Sequence, residues 1–374
     1  LTYSTGRSAT QLMGSLLPDR GVKCRDTYRT PEGIDYQSRE FIDRDGKSRI
    51  LYLWDQTLDA ERVDAGLAGI TWEEPGEFDR RALPPEGFAQ GVEFDNRRIN
   101  AALHAANPNL VVPSFDTSGH GTAVAAIAAA GGSLLDGRYQ GVAPQSSLIV
   151  VKLGSSRPDS FPRTTELMRA LTYMVRKAVL LGMPLAINLS FGNTYGSHDG
   201  TSLLERFLDN VAEIGRCVIC VGSGNEGAAG GHISGRIQAG GRSGEIAGMD
   251  LRRVELNVGS YQPAFSVQLW KEYVDRFRIV LLSPSGVREE IDTVRTGMQT
   301  LVMEQTQILL YIGEPSPYSV NQEIYFDFLP VGSFVNTGIW SFEILPIQTV
   351  SGNYDFYLPS STALNAATRF FVST

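Results

Sequence analysis

Three short runs, Ser147-Leu-Ile-Val-Val-Lys-Leu153, Leu185-Ala-Ile-Asn-Leu189 and Arg216-Cys-Val-Ile-Cys-Val221, are almost continuously apolar, and helical patterns lie between and before them. A strand without polar alternation must be covered on both faces, which a parallel sheet flanked by helices achieves. The helical patterns fall at 97–106, 121–130, 164–181 and 202–214, so from Gly33 to about His232 the chain has the rhythm of βαβ units. An α/β domain with a parallel sheet and helices on both faces is predicted over 33–235.

After Gly227 the pattern stops. Gly230, Gly231, Gly235, Gly240, Gly241, Gly244 and Gly248 crowd a stretch with neither helical nor strand periodicity, which marks a domain boundary. Beyond it 253–261, 265–270, 277–283, 307–312, 323–329 and 338–345 are strand-like and separated by turn residues. That spacing predicts an antiparallel β-sandwich over 236–370 without helices, with 371–374 starting a return to the first domain. Residues 1–32 stay unassigned, because they carry no apolar strand and Val22-Lys-Cys-Arg25 is too charged for one; foreign or degraded sequence is the expectation. The start at Leu1 without a leader and the end on Thr368-Arg-Phe-Phe-Val-Ser-Thr374 predict a fragment.

Composition removes several classes of function. With 33 basic and 41 acidic residues the formal charge is −8, which argues against nucleic acid as a partner. No run reaches the roughly 18 apolar residues of a membrane-spanning helix, so no membrane partner is expected. Three cysteines make no disulfide framework, and Cys217-Val-Ile-Cys220 has no second pair to complete a zinc site; buried thiols, no metal and no cofactor are expected.

The stretch richest in chemistry is Asp116-Thr-Ser-Gly-His-Gly-Thr-Ala-Val-Ala125. It presents an imidazole at the start of an Ala-rich helix, where Gly119 and Gly121 admit close approach of another backbone, and His120 becomes an acid/base candidate. The motif Gly-His-Gly-Thr-x-Val-Ala resembles the histidine motif of the subtilisin-like serine proteases. Val151-Lys-Leu-Gly-Ser-Ser156 and Ile187-Asn-Leu-Ser-Phe-Gly192 follow in the order that family requires. The resemblance makes Gly154 and Ser155, with Ser190, Phe191 and Gly192, the two edges that hold an extended peptide by β-augmentation. Val221-Gly-Ser-Gly-Asn-Glu-Gly227 resembles the family's oxyanion segment and gives Asn225 the role of oxyanion donor.

Competing readings fail on context. Gly222-x-Gly224-x-x-Gly227 also spells a dinucleotide fingerprint, but Ala228-Ala-Gly-Gly-His-Ile-Ser-Gly235 opens no helix. Gly46-Lys47-Ser48 lacks the P-loop glycine five positions earlier, where Phe41 stands. His104, His198 and His232 have no metal-ligand spacing and are expected at the surface.

Two members of a Ser/His/Asp triad are not found where the family motifs place them. No Gly-Thr-Ser-x-Ala-x-Pro occurs: Gly200-Thr-Ser202 is predicted to cap a helix, Ser361-Thr-Ala363 is an imperfect match, and the serine is expected beyond Thr374. Gly33-Ile-Asp-Tyr36 resembles the tail of the Asp-Ser/Thr-Gly-Ile motif, but Pro31 stands two before the glycine and Asp26 is the one internal candidate named for the acid.

From Gly33 onward the chain is similar to the clostridial germination-specific Csp proteases, through Ser48-Arg-Ile-Leu-Tyr-Leu-Trp-Asp-Gln56, Phe161-Pro-Arg-Thr-Thr-Glu-Leu-Met168, Tyr195-Gly-Ser-His-Asp-Gly-Thr-Ser202 and Ser223-Gly-Asn-Glu-Gly-Ala-Ala229. That likeness implies a jelly-roll insertion, a serine endopeptidase acting on peptide or protein substrates, a cleaved propeptide, and an extracellular or spore-associated setting in spore germination. It leaves open a catalytically dead member that binds a partner. With serine and acid unlocated, this chain alone is expected to be inactive.

Overall fold

Ile50–Asp55 (β1) is the strand around which the first half of the chain is organised. The computed structural model describes residues 33–67, 81–154, 164–190, 194–225, 227–237, 252–314, 317, 319–359 and 364–371. Among them 33–187 with 210–219 form one compact unit, and 188–209 with 220–371 form another.

In the first unit β1 pairs parallel with Leu148–Lys152 (β3), Asp55 opposite Lys152, and antiparallel with Val92–Asp95 (β2), Asp55 opposite Val92. The described sheet is therefore mixed, which corrects the all-parallel expectation. The short β2 runs straight into the next helix. Helices Ala60–Leu67 (α1), Asn96–His104 (α2), Pro108–Val111 (α3), His120–Ala129 (α4), Thr164–Leu181 (α5) and Leu203–Glu213 (α6) follow the predicted pattern, with α1 and α3 additional. Asp95 caps α2 by accepting from the Arg98 N–H at 2.9 Å. Ile34, Tyr36, Phe41, Ile50, Leu53, Phe94, Ile99 and Val112 close the core beneath this sheet.

Leu185–Leu189 (β4) and Cys217–Val221 (β5) form a two-stranded sheet. The bonds Leu185 N–H to Arg216 O and Gly222 N–H to Leu189 O, both 2.9 Å, show that they run in the same direction. Within the described residues β5 has β4 as its sheet neighbour, and Cys217 is half-buried while Cys220 is exposed, against the expectation of buried thiols.

The second unit is built on two antiparallel sheets, and among its described residues between 252 and 359 there is no helix, as predicted. Their strands are His232–Arg236 (β6), Arg252–Val258 (β7), Phe265–Glu272 (β8), Arg276–Leu282 (β9), Arg288–Ile291 (β10), Gly297–Met303 (β11), Thr306–Ile312 (β12), Asn321–Pro330 (β13), Gly338–Gln348 (β14), Asn353–Tyr357 (β15) and Arg369–Phe370 (β16). One sheet has the order β10-β9-β14-β7-β16 and the other β11-β12-β13-β8-β15-β6. Phe342 of the first sheet lies 5.1 Å from Phe326 and 5.0 Å from Phe356 of the second, ring centre to ring centre, and Trp340 lies 5.3 Å from Phe328. Large buried rings at alternate positions bring the two inner faces together.

β6 corrects the reading of the glycine-rich stretch as patternless. Gly235 lies opposite Tyr354 in β15, and a Cβ there would run into the Tyr354 ring and its hydroxyl. The glycine that hides the strand signal is required by the ring lying over it.

Candidate active site

β1 delivers a carboxylate to the carboxyl end of the parallel pair. Asp55 is fully buried; Oδ1 accepts from the Thr57 N–H at 2.9 Å and the Thr57 hydroxyl at 2.5 Å, and Oδ2 accepts from the Ser114 hydroxyl at 2.7 Å. The Lys152 ammonium, on the neighbouring strand, is 3.5 Å from the same Oδ2 and donates to Phe115 O at 2.9 Å. A buried charge of this kind must be both paired and hydrogen-bonded, and Asp55 is.

Ser114 and Phe115 thus cross the ends of β1 and β3, and five residues past Phe115 the chain reaches His120, the first residue of α4. Asp116 shapes this approach. Its Oδ1 accepts from the Gly119 N–H at 2.9 Å and the Ser118 N–H at 3.2 Å, while Oδ2 accepts from the N–H and hydroxyl of Thr122 at 2.7 and 2.6 Å. A carboxylate therefore satisfies the free donors of the first turn and favours its positive dipole end. Gly119 takes φ 76°, a left-handed conformation, and a Cβ there would meet nothing within 4 Å. Its glycine serves the turn and not the close backbone approach expected from the sequence. Asp35, expected to belong to the tail of an acid motif, instead donates its N–H to the Thr122 hydroxyl at 2.8 Å and ties 33–36 to α4.

The remaining predicted residues fall as follows. Gly154 ends the described part of the first edge, and its N–H is bound by the Gln56 side chain at 3.0 Å. Ser190 follows β4 and its hydroxyl accepts from the Asn188 amide at 2.8 Å. Asn225 is exposed in the turn that follows β5, on the unit that carries Ser190. Ser155, Phe191, Gly192, Asp26 and Ser361 lie outside the described residues. Ser202 caps α6 as predicted, its hydroxyl accepting from Glu205 N–H at 3.3 Å while Glu205 Oε2 takes the Ser202 N–H at 2.9 Å.

His104, His198 and His232 are exposed as expected, although His232 opens a strand and does not sit in a loop. His198 and His232 both stack on Tyr357, at 4.1 and 4.5 Å, and His232 Nε2 is 2.8 Å from Asp355. Among the described residues no group of three His, Cys, Asp or Glu side chains could hold a metal ion, and no helix is long and apolar enough to cross a membrane.

Residues 87–257 match the subtilase family. That match takes in 171 residues (257 − 87 + 1), under half of the chain. It is also similar to the solved structure of the Clostridium perfringens CspB protease, at 27% identity and a TM-score of 0.71 over 92% of this chain. The match spans 63% of that chain. In a subtilase the triad runs along the chain as Asp, His, Ser, and Asp55 precedes His120 in that order. Asp55 is not among the acid candidates drawn from the sequence. An apolar run, Ile50-Leu-Tyr-Leu-Trp54, ending in Asp is the local signal, but Gln56-Thr57 stands where the family motif has Ser/Thr-Gly.

Proposed function

We propose that this chain is the larger part of a serine endopeptidase of Csp type, in which His120 serves as general base and then acid and Asp55 orients its imidazole. The observation that supports this most is the arrangement within one unit: a buried carboxylate at the end of β1, held by Ser114, on the same segment that leads into the helix opened by His120. A carboxylate in this role fixes the imidazole tautomer and stabilises the imidazolium formed when the nucleophile loses its proton. Asn225 donates to the oxyanion of the tetrahedral intermediate. The peptide backbone pairs with Gly154-Ser155 and with Ser190-Phe191-Gly192, and the two-sheet unit is a jelly-roll insertion.

The nucleophile is supplied by sequence outside these 374 residues, since no Gly-Thr-Ser-x-Ala-x-Pro occurs within them. This chain alone is then silent, retaining at most the roughly thousandfold to ten-thousandfold over water that triad-deleted serine proteases keep. The test uses the longer gene product and an unstructured casein-like substrate. Cleavage abolished by His120→Ala and reduced about ten-thousandfold by Asp55→Asn is expected. Full activity in Asp55→Asn would remove that residue from the triad, and an inert longer product would favour a partner-binding role for the groove. Cleavage by the 374-residue chain itself, lost in His120→Ala, would show that the nucleophile lies within it.

A further inference from the structure

Gln56 follows Asp55 in sequence and is buried, with 6% of its surface exposed. Three of its polar groups bond to backbone. Its own N–H donates to Lys152 O at 2.9 Å, its Oε1 accepts from the Gly154 N–H at 3.0 Å, and its Nε2 donates to Glu166 O, in the first turn of α5, at 3.2 Å. The approach at Gly154 is close, because a Cβ there would lie 3.0 Å from Gln56 O and 3.2 Å from Gln56 Cβ. One side chain therefore joins the end of β1, the run-out of β3 and the start of α5.

We propose that Gln56 is a positioning residue of the peptide groove, fixing the Gly154 edge along which a substrate backbone pairs; this rests on the reading of Gly154-Ser155 as that edge. The chemistry required is narrow. The position must accept from an N–H on one side and donate to a carbonyl on the other, across the reach of two methylenes. Asn is one methylene short, Met bonds neither group, and ionised Glu is acceptor-only and would face the Glu166 carbonyl with a second oxygen. A β-augmented substrate reads the pitch of the edge through main-chain bonds, so a small displacement of Gly154 weakens every extended peptide while leaving the reacting atoms in place.

The test compares wild type, Gln56→Met and Gln56→Glu in the longer gene product, using an extended peptide and a small activated ester that lacks backbone N–H and C=O groups for the edge. For both variants KM for the peptide rises about tenfold with kcat within about threefold, and ester hydrolysis is unchanged. The Gln56→Glu defect shrinks as pH falls and the new carboxyl gains a proton to donate. Equal loss on both substrates, or none on either, overturns the proposal. Should wild type cleave neither substrate, the catalytic reading fails, and equilibrium binding of the same uncleaved peptide decides this one. Weaker binding by both variants, with faster hydrogen exchange at the Gly154 N–H, upholds it; unchanged binding, or no binding by wild type, overturns it.

Discussion

Lys152→Met isolates the electrostatics of the candidate site. The side chains of Asp55 and Lys152 are 0% and 10% exposed, so the pair does not fall in the class of solvated surface bridges worth about 0.2–1 kcal/mol. Removing the ammonium leaves the Asp55 carboxylate buried on the hydroxyls of Ser114 and Thr57 and one N–H, and takes the donor from Phe115 O. Breaking a buried pair from one side costs about 3–5 kcal/mol. At about 2–4 °C per kcal/mol for a unit of this size, the melting temperature of the first unit falls by about 6–20 °C. Urea unfolding gives the free energies, with Trp54 fluorescence following β1 in a background where Trp72, Trp270 and Trp340 are Phe. Asp55→Asn added to Lys152→Met removes the stranded charge, so the double variant is more stable than Lys152→Met alone, by about 2 kcal/mol. A single-variant cost under about 1 kcal/mol, or strict additivity in the double, would refute the assignment of a coupled buried pair.

Phe342→Ala empties a fully buried site shared by the rings of Phe326 and Phe356, and costs the two-sheet unit about 3–5 kcal/mol in urea unfolding. Burial, only partly offset by Asp275, lowers the Lys271 ammonium to about 8 from 10.5. Below about pH 8 both folded and unfolded chains carry that charge; between 8 and 10.5 the unfolded chain binds more protons, so stability rises with pH in that window. Lys271→Met lowers the slope by this contribution, as pH-dependent urea midpoints will show, while the hydroxyls of Tyr325 and Tyr357, raised by burial, act alike in both chains.

The helices and apolar strands were legible because their signals are local. The 164–181 pattern and the 185–189 run returned as α5 and β4 with the same limits, since hydrophobic period and length decide such elements. β10, β11 and β15 were not foreseen: Arg288–Ile291 is mostly polar, and the other two are recognised by what they pair with. The antiparallel entry of β2 is likewise a matter of direction, which a four-residue alternation does not encode.

The site divides along the same line. His120 stood out because a turn and a helix start surround it within ten residues, and the bonds from Asp116 show what that local pattern is for. Asp55 did not, because its meaning comes from partners 59 and 97 positions away (114 − 55 and 152 − 55), which only the parallel pairing of β1 with β3 brings to it. The motif sought at that point names a small residue and a glycine after the acid, whereas this chain has Gln56 and Thr57. Both substitutes have structural work: Thr57 closes on Asp55 Oδ1, and Gln56 holds Gly154 and Glu166. The departure from the motif and the burial of the acid therefore belong to one local solution. A carboxylate in the interior needs its lone pairs filled, and here a hydroxyl two residues on and a serine from the approach to His120 fill them.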